Sequence, residues 1–560
     1  MPIRRSSFRR VMLAFGMVLS SSLAGLGAQS STALPSQSSD ATFRIAGTIV
    51  NAIGGNPLAR ARVTIVDAKN RQHAQWMITS DDGRFDFKQV SPGKYSLQGA
   101  KRGFIPAFYD EHEGFSTAIV TGAGLDTEHL VLRLDPSAML SGKILDELGE
   151  PVRQATISLY REDRRVGVGR ITKSRNTMTD DQGAYEFSQL DAGSYFISAT
   201  AKPWYALHTV SSGQPSAENL PAALAQSLDA QPLDVAYAIT YYGDATEPDD
   251  ATPIPVRGGD QLQADIHLNP VPALHLIFHV PENGANGFTM PMLQKPSFDG
   301  MEMIHSDGMS QVSPGVFEMT GVAPGRYSVR TPEAGSETND VDVTTNGQEL
   351  DMSTAQRAST VKATIQVLRE PTLPPQIEVA LRNSKMRIVA WQEMDAKGEV
   401  AFQDLAPGKY DVLAGSRPKA YSVVQMSSDS GIIAGHTLNV TAGASMRITL
   451  SLVGGSVNVE GFARRAGKAI SGTMVVLVPK NPESNRELFR RDQSDQDGSF
   501  LLRSVIPGSY TIVAIENGWD LDWSRPGVIE HYAHQGQTIT VSDSTQTTMH
   551  LTEQVEVQSR

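Results

Sequence analysis

One turn-and-strand phrase recurs five times along this chain with unchanged internal spacing. The first copy runs Gly83-Arg84-Phe85-Asp86-Phe87-Lys88-Gln89-Val90-Ser91-Pro92-Gly93-Lys94-Tyr95. Its skeleton returns as Gly183, Tyr185, Phe187, Leu190, Gly193 and Tyr195, then as Gly315, Phe317, Met319, Val322, Gly325 and Tyr327. The fourth copy is Gly398, Val400, Phe402, Leu405, Gly408 and Tyr410, and the fifth is Gly498, Phe500, Leu502, Val505, Gly508 and Tyr510. Constant spacing among segments that otherwise differ means one small fold repeated, which settles architecture before any single motif is weighed.

Each copy opens at a turn glycine that in several cases follows acids, as in Asp81-Asp82-Gly83 and Asp497-Gly498. Gly accepts positive φ and Asp bonds its own backbone, so this is a hairpin signal. Phe85 and Phe87 then alternate with Arg84 and Asp86, the period of a half-buried strand. Ser91-Pro92-Gly93-Lys94 reads as a type II turn, with positive φ expected at Gly93, and a β-branched residue there is expected to be costly. Tyr95, Leu97 and Gly99 fall on one side of the returning strand, so the recurring tyrosine points inward and needs one partner for its hydroxyl. A closing phrase of strand, turn and strand follows each copy, first as Ala118–Gly122 to Leu130–Leu134. Two units also open alike: Gly47-Thr48-Ile49 with Pro57-Leu58, and Gly142-Lys143-Ile144 with Pro151-Val152. About seven short strands per unit is the signature of a small antiparallel sandwich.

The Gly…Pro-Leu/Val…Ala-x-Val opening, the Asp-x-Gly-x-Phe-x-Phe hairpin and the Pro-Gly-x-Tyr strand resemble the carboxypeptidase regulatory-like domain. That domain belongs to the transthyretin-like, carbohydrate-binding-like β-sandwiches related to collagen-adhesin B-type repeats. The resemblance covers units one, two and five; units three and four keep the hairpin and tyrosine but have degenerate openings. It implies a Greek-key sandwich in an exported protein and no catalytic residues. The expected architecture is therefore all-β: an export signal over 1–28, a linker over 29–41, and sandwiches over 42–135, 136–270 (with an insertion at 206–235), 271–356, 357–453 and 454–560.

The N-terminus reads as the export signal: Arg4, Arg5, Arg9 and Arg10, an apolar run from Val11 to Leu26, then small residues to Ala28. Cleavage is expected after Ala28, with a cut after Ala33 or an uncleaved anchor as alternatives, and Arg9-Arg10 loosely fits a twin-arginine signal. The chain has no cysteine, so it carries no lipid anchor on that residue and its sandwiches must hold by core burial alone. No later apolar run approaches membrane-spanning length, so no span is expected in the mature chain. A net charge of −12 without a basic stripe argues against nucleic acid. Ala217 to Leu228 is the one helical hint.

Motifs that carry chemistry are weak here. His279-Val280-Pro281-Glu282 has zinc-peptidase spacing, but no further peptidase motif follows it, and a strand histidine beside a turn explains it. Gly461 to Lys468 imitates a phosphate loop with one residue too many and Ala469 in place of Ser/Thr. Asp492, Ser494, Asp495 and Asp497 form the densest acidic turn, and Glu247, Asp249 and Asp250 a second. Such hairpin turns are common without calcium. Lys362 and Asn439 occupy the strands of an isopeptide cross-link, but alternation turns both outward. No catalytic residue, metal or cofactor is expected.

Aromatics concentrate after the Pro-Gly-x-Tyr strand in units one, two and five: Phe108 and Tyr109 (with Phe104 before them); Trp204, Tyr205, Tyr241 and Tyr242 (with Tyr237); and Trp519, Trp523 and Tyr532. Asp520 and Asp522 lie between the two tryptophans, Asp110 and Glu111 follow Tyr109, and Asp244 follows Tyr242. Rings stack on sugar faces and carboxylates accept sugar hydroxyls, so these residues are the candidate ligand face, with Trp519 and Trp523 foremost. The competing reading is that they cap their own sandwich or wedge between neighbours. The expected role is an exported, non-enzymatic binding or scaffold protein of the cell envelope, its partner a glycan or another envelope component. The alternatives are a structural spacer or protein-interaction module, and a hydrolase or peptidase accessory subunit.

Overall fold

All five turn glycines take up the left-handed conformation that only glycine adopts at little cost: Gly83, Gly183, Gly315, Gly398 and Gly498 lie at φ between 68° and 80°. The computed structural model describes residues 42–560 apart from 123, 165–168, 209–233, 280–290, 299, 305–307, 331–337, 352–358, 369–372, 375, 384–387, 406, 417–420, 429–430, 434, 442, 456, 484 and 543–546. The signal and linker over 1–41, most of the 206–235 insertion with its helical hint, and Glu282 of the His279 motif thus lie outside the described residues.

In the first sandwich, β1 (Phe43–Asn51), β2 (Arg62–Asp67), β3 (Ala74–Ile78), β4 (Arg84–Val90), β5 (Gly93–Ala100), β6 (Ala107–Phe108), β7 (Ile119–Thr121) and β8 (Leu130–Leu134) form two sheets. One is ordered β4-β1-β8; the other is β3-β2-β5-β6, with β7 also on β5. Ile45, Ile49, Val63, Ile65, Phe85, Phe87 and Leu97 fill the space between them. The same pair of sheets recurs around four further cores. In the fifth, strand Val555–Ser559 pairs with both Val457–Arg465 and Gly508–Glu516 and so joins the two sheets along one edge.

Most pairings are antiparallel, as expected, but each opening strand also runs parallel to a closing strand: β1 to β8, Ala138–Leu145 to Gln261–Gln263, and Ser359–Val367 to Ser445–Gly454. The opening glycines make that approach possible. A Cβ on Gly47 would lie 2.1 Å from the Leu130 carbonyl oxygen, and one on Gly142 would lie 2.1 Å from that of Ala264.

The second glycine of the phrase departs from expectation. Gly93, Gly193, Gly408 and Gly508 are outside the left-handed region, and a Cβ on Gly93 would meet only the Tyr95 ring, at 3.7 Å. The positive φ falls earlier, on Gln89 (58°), Gln189 (56°), Gly321 (76°) and Ser504 (53°). At each of these the register with the opening strand slips, as between Phe87 and Val90 opposite β1. The reversal is therefore a β-bulge one residue before the buried Val or Leu, and the Pro-Gly step enters the next strand without a type II turn.

The inward tyrosine finds its partner one turn back. The Tyr95 hydroxyl donates to the Ser91 carbonyl at 3.1 Å, Tyr195 to Asp191 at 3.0 Å, Tyr327 to Ala323 at 2.7 Å and Tyr510 to Ile506 at 2.7 Å. Burial raises each of these phenols above its ordinary pKa, Tyr510 to about 12. Each hydroxyl is thus a neutral latch across the glycine step that follows the bulge.

A helix, Pro526–Ala533, was not anticipated in the fifth unit. Pro526 takes its first turn, where a missing N–H costs nothing, and Ile529 and Tyr532 are buried beneath it. Among the described residues no helix is long and apolar enough to cross a membrane.

Candidate functional site

The residues singled out as a ligand face fall into two groups, one buried at junctions between sandwiches and one left open. Trp519 and Trp523 are each 6% exposed and Tyr532 is 7% exposed. They lie over the outer face of their own sheet, on Met474, Val476, Val478, Val513 and Ile515. The loop after β6 in the first sandwich completes the cover. His112 stacks on Trp519 at 5.3 Å and 8°, and Phe115 lies 5.6 Å from it. The Arg491 guanidinium sits 4.4 Å above Trp523 and pairs with Glu113 at 2.8 Å. Burial lowers the Arg491 pKa, and Glu113 opposes that shift. Rings packed in this way have no face to offer a sugar, so the foremost candidates are wedge residues.

The acidic turn expected to be the best calcium candidate belongs to the same junction. Lys94 donates to Asp495 at 2.6 Å and to Ser499 at 2.6 Å, and the Ala118 amide donates to Asp495 at 2.9 Å. Gln496 bridges the Val120 amide and the Asp126 carbonyl, while Gln493 reaches Thr117 at 2.8 Å. Burial raises the Asp495 carboxyl and Lys94 opposes it. Asp492 is pushed up to about 6, first by burial, with Asp495 nearby adding to the rise. Among the described residues no three His, Asp or Glu side chains converge as metal ligands.

Asp520 and Asp522 act as connectors as well. The Asp520 carboxylate accepts from Arg560 at 3.1 Å and its carbonyl from Arg164 of the second sandwich at 2.8 Å. Asp522 accepts from the Gly169 amide at 3.2 Å and pairs with Arg525 at 3.0 Å. In the first unit, Phe108 and Tyr109 are half-buried, Tyr109 against its own core.

A second junction absorbs Tyr241. Its hydroxyl donates to Ser297 of the third sandwich at 2.9 Å, and Phe298 sits among Tyr160, Phe196 and Tyr241 with centroids 4.9 to 5.5 Å away. Tyr160 donates to Glu302 at 2.8 Å, and Lys295 reaches back to Glu247 at 3.0 Å. Glu247, from the second acidic turn, is thus a salt-bridge partner. Tyr242 is half-buried against the core of the second sandwich.

Trp204 alone of the candidate rings stands in solvent, 83% exposed and edge-on to Tyr205 at 5.8 Å. Beside it lies a cleft of about 340 Å³ bordered by Asp146, Glu150, Arg153, Asp181 and Tyr237. Glu147 accepts hydrogen bonds from the hydroxyls of both Tyr205 and Tyr237, the latter at 3.0 Å. Burial works against its ionisation; the two hydroxyls outweigh that and hold its carboxyl below the ordinary range. The cleft combines an exposed indole with carboxylates and a guanidinium, the chemistry that takes a polyhydroxylated ligand.

The remaining motifs are structural. His279 pairs with Glu349 at 3.3 Å on adjacent strands, and Gly461 lies inside strand Val457–Arg465 with Phe500 where its Cβ would be. Lys362 and Asn439 are both exposed, on opposite sheets of the fourth sandwich.

Comparison with solved structures returns matches of low identity and low TM-score. The Bacillus anthracis TIE protein is 12% identical, with 76% of each chain covered and a TM-score of 0.18. A minor pilin of Streptococcus agalactiae is 13% identical over 43% of this chain and 99% of its own, with a TM-score of 0.21. Two B repeats of the collagen-binding protein of Staphylococcus aureus are 11% identical over 73% of this chain and 100% of theirs, with a TM-score of 0.12. Likeness at this level says nothing about function. No curated protein matches the sequence. The family model of the carboxypeptidase regulatory-like domain matches residues 44–121 and 139–223, in the first two sandwiches.

Proposed function

We propose that the chain is an exported, non-enzymatic binding scaffold of the cell envelope, with modules bounded near residues 135, 270, 356 and 453 and a glycan as its ligand class. The observation that carries this reading is Trp204, a fully presented indole beside a polar cleft, in a chain whose other candidate rings are mostly packed. The scaffold half rests on the junctions, where aromatic and acidic side chains that could have served chemistry fasten one sandwich to another.

Titration of the mature chain with envelope glycans and cell-wall fragments, read by tryptophan fluorescence and calorimetry, tests the reading. Trp204→Ala should weaken binding by at least about tenfold, the scale of one lost stacking contact, with an unchanged melting curve. Absence of glycan binding refutes the glycan assignment and leaves the spacer reading, which the buried Trp519, Trp523 and Tyr241 favour; glycan binding indifferent to the substitution refutes its placement at Trp204. Chelator-sensitive turnover would favour the hydrolase reading instead.

A further inference from the structure

The outer face of the sheet equivalent to β3-β2-β5 is where the second and fifth sandwiches dock other parts of this chain. In the fifth sandwich that face is Met474, Val476 and Val478, covered by the Trp519–Tyr532 segment and by Phe115 of the first. In the second it includes Tyr160 and Phe196, covered by Phe298 of the third. In the first sandwich the fifth covers the β5 and β7 side of this face through Lys94 and Val120, and among the described residues its β3 side, like the matching side of the fourth sandwich, lies open.

Strand pairing shows that these two open faces are equivalent. Trp76 pairs with Thr64, the third residue of β2, and Trp391 pairs with Ala380, the third residue of Glu378–Asn383. Both tryptophans thus occupy the same outward position on an edge strand, 67% and 62% exposed, with an exposed isoleucine on each strand: Ile78 after Trp76, and Ile388 before Trp391. The neighbouring positions have opposite charge. Arg62 leads the row in the first sandwich and, with Arg60 and Arg102, borders an open groove next to Ile78. Glu378 holds the equivalent position in the fourth and faces Glu393 across the strand pair. Two tryptophans at matched register, Trp76 with Arg62 at one end of its row and Trp391 with Glu378 and Glu393 at the same end of its own, are complementary surfaces.

We propose that the open face of the first sandwich docks on the open face of the fourth sandwich of a second copy of this chain. The contact is heterologous: each copy keeps one basic and one acidic face unused, so the association propagates head to tail. Trp76 and Trp391 are its anchors, and Arg62 opposite Glu378 and Glu393 sets its polarity.

Sedimentation of the mature chain over a range of concentrations should show association beyond a dimer that weakens with added salt. Trp76→Ala and Trp391→Ala are exposed substitutions that leave the melting curve in place, and each should weaken association by at least about tenfold. Mixing is decisive. A Trp76→Ala chain keeps its acidic face and a Trp391→Ala chain its basic face, so the mixture should form heterodimers and stop there. Arg62→Glu should abolish association, and Arg62→Glu with Glu378→Arg and Glu393→Arg in one chain should restore it. A chain that stays monomeric throughout, or a mixture that fails to pair, overturns the proposal. So does a dimer lost with only one of the tryptophans, or a tryptophan whose loss removes glycan binding from a monomer.

Discussion

Glu113→Ala should open the junction between the first and fifth sandwiches while leaving both cores intact. Arg491 is 6% exposed at its side chain and Glu113 is 19% exposed, with 2.8 Å between them. Removing one partner of a buried pair costs about 3–5 kcal/mol, because the remaining charge stays desolvated. The lower end applies, since Glu113 sits nearer the rim and water can reach the vacated space. A loss of about 3 kcal/mol is roughly a 100-fold rise in the open population. Because Glu113 and Arg491 belong to different sandwiches, the loss falls on docking. Hydrogen exchange should therefore quicken about 100-fold at amides bonded across the junction, such as Ala118 and Gln496, and hardly change at core strands. Acrylamide quenching of Trp519 and Trp523, shielded in the parent, should rise with the open population and stay below that of the exposed tryptophans. Arg491→Met makes the control: it removes the buried charge, fills the space over Trp523 with a polarisable thioether and leaves Glu113 free to hydrate, so it should cost far less. Unchanged exchange in Glu113→Ala, or equal melting losses from the two variants, would refute the reasoning.

Gly47→Ala should destabilise the first sandwich by about 3 kcal/mol or more, since its Cβ would stand 2.1 Å from a backbone oxygen that moves only if β8 moves. Gly93→Ala should cost less than about 1 kcal/mol, because its Cβ meets only a ring at ordinary contact; calorimetry of the two variants separates them. Asp492 supplies the pH prediction. Its folded pKa, about 6, lies above the ordinary aspartate value, so its favourable contribution is complete below about pH 4 and is lost as pH rises through 6. Asp492→Asn keeps an acceptor for the Leu501 amide and should raise the melting temperature of the fifth sandwich at pH 7.5, a gain of about 1–3 kcal/mol that vanishes by pH 4. A gain that persists at pH 4 would show that burial of the charge is not its source.

Local pattern made the repeat legible and long-range docking hid the rest. Five turn glycines, the Phe85–Phe87 alternation and the inward tyrosine could be read because each is decided within a few residues. The Pro-Gly step misled because the bulge places positive φ on Gln89 and Ser504, residue types that give no sign of it. The burial of Trp519 and Trp523 was beyond local reading, since His112, Phe115 and Glu113 come from nearly 400 residues earlier in the chain. A signal for the close strand approach did exist in the repeated opening Gly47 and Gly142. The equivalence of Trp76 and Trp391 became visible only through strand pairing, because the loops before them differ in length.

These sandwiches have no disulfide to close them, and each has a second sheet face besides the one that lines its core. Leaving that face apolar is a hazard for an isolated module and an opportunity in an array. The fifth sandwich covers it with its own helix and a loop from the first, although that contact closes a loop of about four hundred residues. Closure entropy grows only with the logarithm of loop length, so recruiting the distant first module costs little more than recruiting a nearer one. What decides the pairing is the local chemistry: a buried Arg491 that needs Glu113, and an Asp495 that needs Lys94. Where part of an outer face has no such cover among the described residues, as on the Trp76 side of the first module and the Trp391 side of the fourth, it carries a tryptophan and a charge, and the same reasoning makes that part intermolecular.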